Sequence, residues 1–356
     1  MNKTRLEKVV AELKRIGLSQ MIISDPSGIR YLTGIDIEPM ERLFALYVSD
    51  EGEYKLFLNN MFTVPDTGLQ EIWMSDTDDC IKIVSENIDG TADIGVDKIW
   101  PAGFLLRLMK IFPNVKYIVS SECVDRVRAR KDAEEQEKMR RASQINDICM
   151  EAVPSFLHEG VTEKEVCEHI AALYLANGAS GLAFPAITSF GANAADPHHS
   201  PDETVLKNGD CIVIDTGCVY GGYCSDMTRT FFCGSAPEKY AKIHDIVREA
   251  NELAESMIKP GVRFCDLDNA AREYISNKGY GKYFTHRLGH SIGSDCHEAG
   301  DVSATNKNAL EVGNTFSIEP GVYLPGEFGV RIEDLVIVTE DGCEILNHVD
   351  KHWSIV

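Results

Sequence analysis

The 356 residues carry 56 acidic and 35 basic side chains, a formal net charge of -21, which argues against a nucleic-acid partner because phosphate contacts need clustered Lys and Arg. With 44% hydrophobic and 26% charged residues the composition is that of a soluble globular protein, and a prior of roughly 150 residues per domain leaves room for about two domains. Eleven cysteines without a Cys-x-x-Cys pair argue against a disulfide framework or a thiolate zinc site, so the expected setting is a reducing cytoplasm, with no secretory leader and no membrane span.

Thr4 and Glu7 stand at capping-box spacing ahead of Leu6, Val9, Val10, Leu13 and Ile16, with Gly17 as the stop, and predict an amphipathic helix. Short apolar runs at residues 21–23, 43–48, 54–58, 94–96 and 115–119, separated by Gly, Asp and Pro, predict strands of a small α/β domain ending near residue 125. Residues 131–150, with Met139, Ala142, Ile145 and Ile148 at helical spacing, read as a helix entering a second domain that covers 126–356, and Pro154 ends it. Thr162 and Glu165 repeat the capping-box pattern before a helix stopped by Gly178. Two further helices are expected, one starting near Pro237 and running through Met257 to Pro260-Gly261, the other from about Asp266 to Asn277.

Between and after these helices lie strand-like runs that end in or flank charge: Asp215 after Cys211-Ile-Val-Ile, Glu319 after Thr315-Phe-Ser-Ile, and Glu333 after Val330-Arg-Ile. A carboxylate in such a place is expensive to bury unless a cation, partner or proton compensates it. Gly221-Gly222 is a hairpin signal that would bring Asp215 and Asp226 onto one face. His290 sits in Gly289-His-Ser-Ile-Gly293, where glycines allow close approach to a ligand. Four carboxylates supply about four negative charges, enough to balance two divalent cations, and oxygen-rich ligation with one imidazole suits Mn, Fe, Co or Zn. Two such cations roughly 3.5 to 4 Å apart can share a water and lower its pKa, giving a hydroxide nucleophile near neutral pH. His198 and His297, in polar loop-like sequence, are candidates to donate hydrogen bonds to a carbonyl oxygen that becomes anionic, whereas His199 is expected to point elsewhere in a structural role.

The series Asn193-Ala-Ala-Asp-Pro-His-His-Ser-Pro, Asp215-Thr-Gly, Ser225-Asp-Met-Thr-Arg-Thr230, His286-Arg-Leu-Gly-His-Ser-Ile-Gly293, His297-Glu, Ile318-Glu-Pro-Gly and Arg331-Ile-Glu-Asp resembles the prolidase and aminopeptidase P branch of the pita-bread metallopeptidases. Asp25-Pro-Ser-Gly-Ile-Arg-Tyr-Leu-Thr-Gly34 is similar to the opening of that branch's N-terminal domain, so the likeness spans nearly the whole chain. It implies an α/β N-terminal domain (1–125) followed by an α+β pita-bread, creatinase/aminopeptidase-like catalytic domain. By the resemblance Asp215 would chelate one metal, His290 and Glu319 the other, and Asp226 and Glu333 would bridge both. His198 and His297 would stabilise the tetrahedral intermediate, Glu319 would also take the proton of the attacking water, and Thr228 and Arg331 would orient ligands.

The activity implied is hydrolysis of Xaa-Pro bonds by a metal-bridging hydroxide, with two divalent ions, Mn first and Co or Zn next. Prolidase leads, aminopeptidase P on longer peptides follows, and a non-catalytic peptide-binding pita-bread protein is the reading from another class. The extra N-terminal domain disfavours a methionine aminopeptidase, and the intact ligand set disfavours a metal-free creatinase-like enzyme. The expected partners are a small peptide with proline at its second position and a second copy of the chain. Ser291, Ser294-Asp295 and Gly300 depart from the branch's usual residues along the stretch that would meet substrate. Arg287 and Lys307 are the candidates to bind a dipeptide's C-terminal carboxylate.

Overall fold

The computed structural model describes residues 1–356, which divide into two compact units, Met1–Arg128 and Ala129–Val356. The first contains α1 (Lys3–Ile16), β1 (Gln20–Ile23), α2 (Pro26–Thr33), β2 (Ala45–Ser49), β3 (Tyr54–Asn59), β4 (Gln70–Met74), α3 (Cys80–Ser85), β5 (Ile94–Val96), α4 (Ala102–Ile111), β6 (Tyr117–Val119) and α5 (Glu122–Ala129). Six strands form one mixed sheet in the order β4-β3-β2-β1-β5-β6. The two-residue side-chain period sorts them to opposite faces: Met21, Ile23, Leu46 and Val48 join Leu6, Val9 and Leu13 of α1, while Ile22, Ala45 and Tyr47 join Ile81, Val84 and Leu108 on the other side.

One local reading changes. The cap of α1 is Asn2, whose side chain accepts the Arg5 N–H at 3.1 Å, so Thr4 lies inside the helix. The Asp25–Gly34 motif is a helix capped by Asp25, with Pro26 in its first turn and a left-handed Gly34 at its end. Helices α3 and α4 and strand β4 were not assigned from sequence.

The second unit runs α6 (Ala133–Ala152), α7 (Glu163–Ala176), β7 (Gly181–Leu182), β8 (Ile187–Phe190), β9 (Cys211–Thr216), β10 (Cys218–Tyr220), β11 (Tyr223–Cys224), β12 (Met227–Phe232), α8 (Glu238–Ser256) and α9 (Phe264–Asn277). Strands β13 (Gly289–His290), β14 (Asp301–Val302), β15 (Thr315–Ile318), β16 (Gly321–Leu324), β17 (Phe328–Arg331), β18 (Asp334–Val338) and β19 (Cys343–Ile345) complete it. Helix α6 starts at the Asp132/Glu135 capping box and α7 at Thr162/Glu165. One apolar core joins Ile145, Val166 and Ile170 of α6 and α7 to Ile212 and Ile214. Another joins α8 and α9 through Val247, Ala250, Leu267 and Ala271 to Phe316, Val330 and Val336.

Gly221 and Gly222, at φ 57° and 80°, make the two-residue turn between β10 and β11, with Tyr220 opposite Tyr223; both positive angles are what a type I′ turn demands. Beyond it β9 and β12 pair antiparallel with Thr228 opposite Asp215 and Met227 opposite Thr216, which sets Asp226 just past the end of the ladder beside Asp215. No helix is long and apolar enough to cross a membrane.

The Thr162 cap offers a local check on this unit. Its Oγ1 accepts the Glu165 N–H at 3.2 Å while Glu165 returns a bond to the Thr162 N–H at 2.8 Å, so Thr162→Ala is expected to lower stability by about 1 kcal/mol, read as a reduced midpoint of thermal unfolding; an unchanged midpoint would contradict this role.

Candidate metal centre and active site

The expected residues converge on one cleft. Asp215, Asp226, His290, Glu319 and Glu333 line a cavity of about 500 Å³ together with His198, His297 and Arg331. Strand pairing delivers four of them: Asp215 by β9, His290 by β13, Glu319 immediately after β15, and Glu333 between β17 and β18 through its bridge to Thr228. Asp226, His290 and Glu333 are buried, and one ligand atom from each lies within 4.8 Å of the others. Gly289 makes the approach possible, since a Cβ there would lie 1.9 Å from the Ser317 carbonyl oxygen.

The hydrogen bonds orient the cluster without neutralising it. Arg331 donates from Nη2 to Asp215 Oδ2 at 2.6 Å and from Nε to Thr228 Oγ1 at 3.1 Å, and Thr228 passes a bond on to Glu333 Oε2 at 2.8 Å. Ser317 Oγ donates to Glu319 Oε1 at 3.2 Å and accepts the His290 N–H at 3.0 Å. His290 Nδ1 lies 3.2 Å from the Ser291 carbonyl; the proton is therefore assigned to Nδ1, leaving the Nε2 lone pair facing the carboxylates. Nε2 stands 3.6 Å from both Asp226 Oδ2 and Glu319 Oε1, longer than a hydrogen bond. Asp215 Oδ1 and Asp226 Oδ1 have no hydrogen-bond partner although buried.

Burial first, and then the charges on Asp215 and Glu319, push the Asp226 carboxyl far above its ordinary range; burial followed by Asp226 and Glu319 does the same to Glu333. Glu319 is pushed up to about 7, mainly by burial, and His290 down to about 3 by burial and then by His297. Four carboxylates, of which only Asp215 is ion-paired to a guanidinium, with orphaned oxygens and a neutral imidazole aimed inward, fit divalent cations with oxygen-preferring chemistry.

The two candidate histidines sit on opposite flanks. His297 is exposed, yet its ring centroid lies 4.0 Å from that of His290, and partial desolvation followed by the Arg287 charge lowers its pKa. His198 is exposed on a loop whose turn is held by Asp196 Oδ1 accepting the His198 N–H at 3.0 Å. His199 has the structural role expected of it, its Nε2 2.7 Å from the buried Glu163 Oε2 and 3.2 Å from Asn193 Nδ2, although it also borders the cleft. Of the two cations considered for a substrate carboxylate, Arg287 lines the cleft, whereas Lys307 is exposed and does not. His286 and Tyr323 were missed: His286 Nε2 lies 2.9 Å from Tyr323 Oη, which accepts from Arg331 Nη1 at 2.9 Å. The four-residue spacing of His286 and His290 was the available signal for the first; Phe184, Pro185 and Cys296, also in the wall, offered none.

Comparison with known proteins gives the chain's family and fold. The model of metallopeptidase family M24 matches residues 137–340, and that of the creatinase/prolidase N-terminal domain matches residues 5–130. A Staphylococcus aureus (strain MSSA476) relative described as an uncharacterised peptidase is 37% identical over 98% of this chain and 100% of its own. Among solved structures, the dipeptidase PepE of Mycobacterium ulcerans superposes with a TM-score of 0.94 at 33% identity, covering 99% of this chain and 97% of that one. A recombinant prolidase from Thermococcus sibiricus gives 0.92 at 32% identity, covering 100% and 99%.

Cation binding should be visible without any assay of activity. Mn²⁺ at about a hundredfold excess over its Kd is expected to add about 2.7 kcal/mol of stability and raise Tm by about 5 °C, with EDTA reversing the rise. Asp226→Asn, which resembles the protonated carboxyl that burial favours, should leave the metal-free Tm undiminished while abolishing most of that rise. A Mn²⁺ shift of wild-type size in Asp226→Asn would contradict the site.

Proposed function

The chain belongs to metallopeptidase family M24 and is a hydrolase with the pita-bread fold, and from that premise we propose that it is a dinuclear Xaa-Pro dipeptidase. The family uses divalent metal ions; here Asp215, Asp226, His290, Glu319 and Glu333 would hold two of them, Mn²⁺ first among the candidates, with Asp226 and Glu333 shared. The ions, when bound, supply Lewis acidity toward the scissile carbonyl and lower the pKa of a water. Glu319, oriented by Ser317, takes the proton released as that water attacks. His198 and His297, on the two flanks, donate to the carbonyl oxygen as it becomes anionic. Arg331, bonded at once to Asp215, Thr228 and Tyr323, keeps the carboxylates in register between turnovers.

One observation carries the choice of a dipeptide. Arg287 is a cation on the wall of a cleft whose other guanidinium, Arg331, is already committed to Asp215, which leaves Arg287 as the counter-charge for a dipeptide's free C-terminal carboxylate. Phe184, Pro185 and Ile187 form an apolar wall suited to a pyrrolidine ring. Two copies of the chain would associate through the first unit, where Leu106, Met109 and Ile111 of α4 are exposed and β6 is an edge strand. Eleven free thiols suit a reducing cytoplasm.

The test compares Mn²⁺-loaded protein on Ala-Pro, Ala-Pro-amide and Ala-Pro-Ala. Ala-Pro should be the best substrate, and Arg287→Ala should raise its KM by roughly 10- to 100-fold, the range of a charge-assisted hydrogen bond, with little change for the amide. Cleavage of the tripeptide alone would point to an aminopeptidase, and hydrolysis of none of the three would refute the reading.

A further inference from the structure

Outside the cleft lies a pair of opposite charges enclosed by protein: Lys131 Nζ is 2.7 Å from Glu298 Oε2, and the two side chains are 0% and 3% exposed. Such a pair gains little stability, because desolvating both charges offsets most of their attraction. What it does hold is position. Glu298 follows His297, and its second oxygen, Oε1, accepts the Ser294 N–H at 2.9 Å. Its own N–H donates to the Ser291 carbonyl at 2.9 Å. One side chain thus closes the loop from Ser294 to Glu298 that carries His297.

Lys131 is a fixed anchor for that loop. Its N–H donates to the Gly313 carbonyl at 2.8 Å, its carbonyl accepts Gln136 Nε2 at 2.9 Å, and it directly precedes the capping box that starts α6. The backbone also makes room for the pair: a Cβ on Gly293 would lie 2.6 Å from Glu298 Oε1 and 2.7 Å from Lys131 Cε. Neither charged residue lines the cleft, so any effect on turnover has to pass through what they hold.

We infer that Lys131 and Glu298 are positioning residues that fix His297 beside His290, and that they govern turnover through His297 rather than through substrate or metal contacts. This rests on the proposed role of His297 at the developing oxyanion. A displacement of about 1 Å at such a donor is enough to forfeit most of its contribution.

A double-mutant cycle on Mn²⁺-loaded protein with Ala-Pro tests it. His297→Ala should lower kcat about 100-fold, Lys131→Met at least about 10-fold with KM within about twofold of wild type, and the double variant should be no slower than His297→Ala alone. Glu298→Gln, which keeps an acceptor for Ser294 but removes the charge, should behave as Lys131→Met does, and it carries the cycle if Lys131→Met fails to fold. Lys131→Arg should recover most of the turnover. The Mn²⁺-induced rise in Tm should persist in all these variants. Losses that multiply in the double variant, or wild-type kcat in Lys131→Met and Glu298→Gln beside a slow His297→Ala, would overturn the positioning role and leave the proposed function standing. Wild-type kcat in His297→Ala would remove the oxyanion role and this inference with it.

Discussion

Asp226 and Glu333 are buried beside Asp215 and Glu319 in one cleft, and the repulsion among these carboxylates, magnified by burial, is the condition the rest of the second unit is arranged around. Without cations their charged forms are disfavoured, as the upward shifts of Asp226, Glu319 and Glu333 show. The protein spends a single guanidinium on them, Arg331, and supplies hydroxyls from Thr228 and Ser317 that orient oxygens without cancelling charge. An assembly that only needed stability would pair or remove these groups. This one leaves them largely uncompensated, so that bound cations would restore their charged forms, and rigid enough to offer those cations a site.

Rigidity comes from putting the groups on strands. The register that sets Thr228 opposite Asp215 also lets Thr228 bridge to Glu333, so one side chain links two ladders. Behind Glu333, Arg229 donates to its carbonyl at 2.8 Å and pairs with the buried Asp334 at 2.7 Å, holding the backbone from the side away from the cleft. The flanking histidines are on loops, yet each loop is tied by a buried carboxylate. Glu163 Oε1 accepts Phe190 N–H and Asn193 Nδ2 at 2.8 and 3.0 Å on the His198 side, and Glu298 works on the His297 side. Loops that carry function on a rigid scaffold commonly need such ties.

The five side chains that converge on the cleft were legible because each is an ionisable group at the end of, or beside, an apolar run, and the Gly221-Gly222 turn because only glycine-like residues hold both positive φ values. Helices α7, α8 and α9 were legible from capping residues and period. In the first half α2, α3 and β4 were not, since segments of eight residues or fewer give too few repeats for a period to declare itself. His199 keeps the structural role expected of it, paired with Glu163 and Asn193, although its loop brings it to the cleft wall beside His198. Lys131 and Glu298, 167 residues apart, carried no local signal of each other; only the fold brings them together.

The central claim is that these five side chains hold two cations, and anomalous diffraction from crystals of Mn²⁺-loaded protein measures that directly. Two manganese peaks are expected in the cleft, with the Asp226 and Glu333 carboxylates between them, Asp215 on one ion and His290 with Glu319 on the other. A single peak, or none among these residues, would contradict the account.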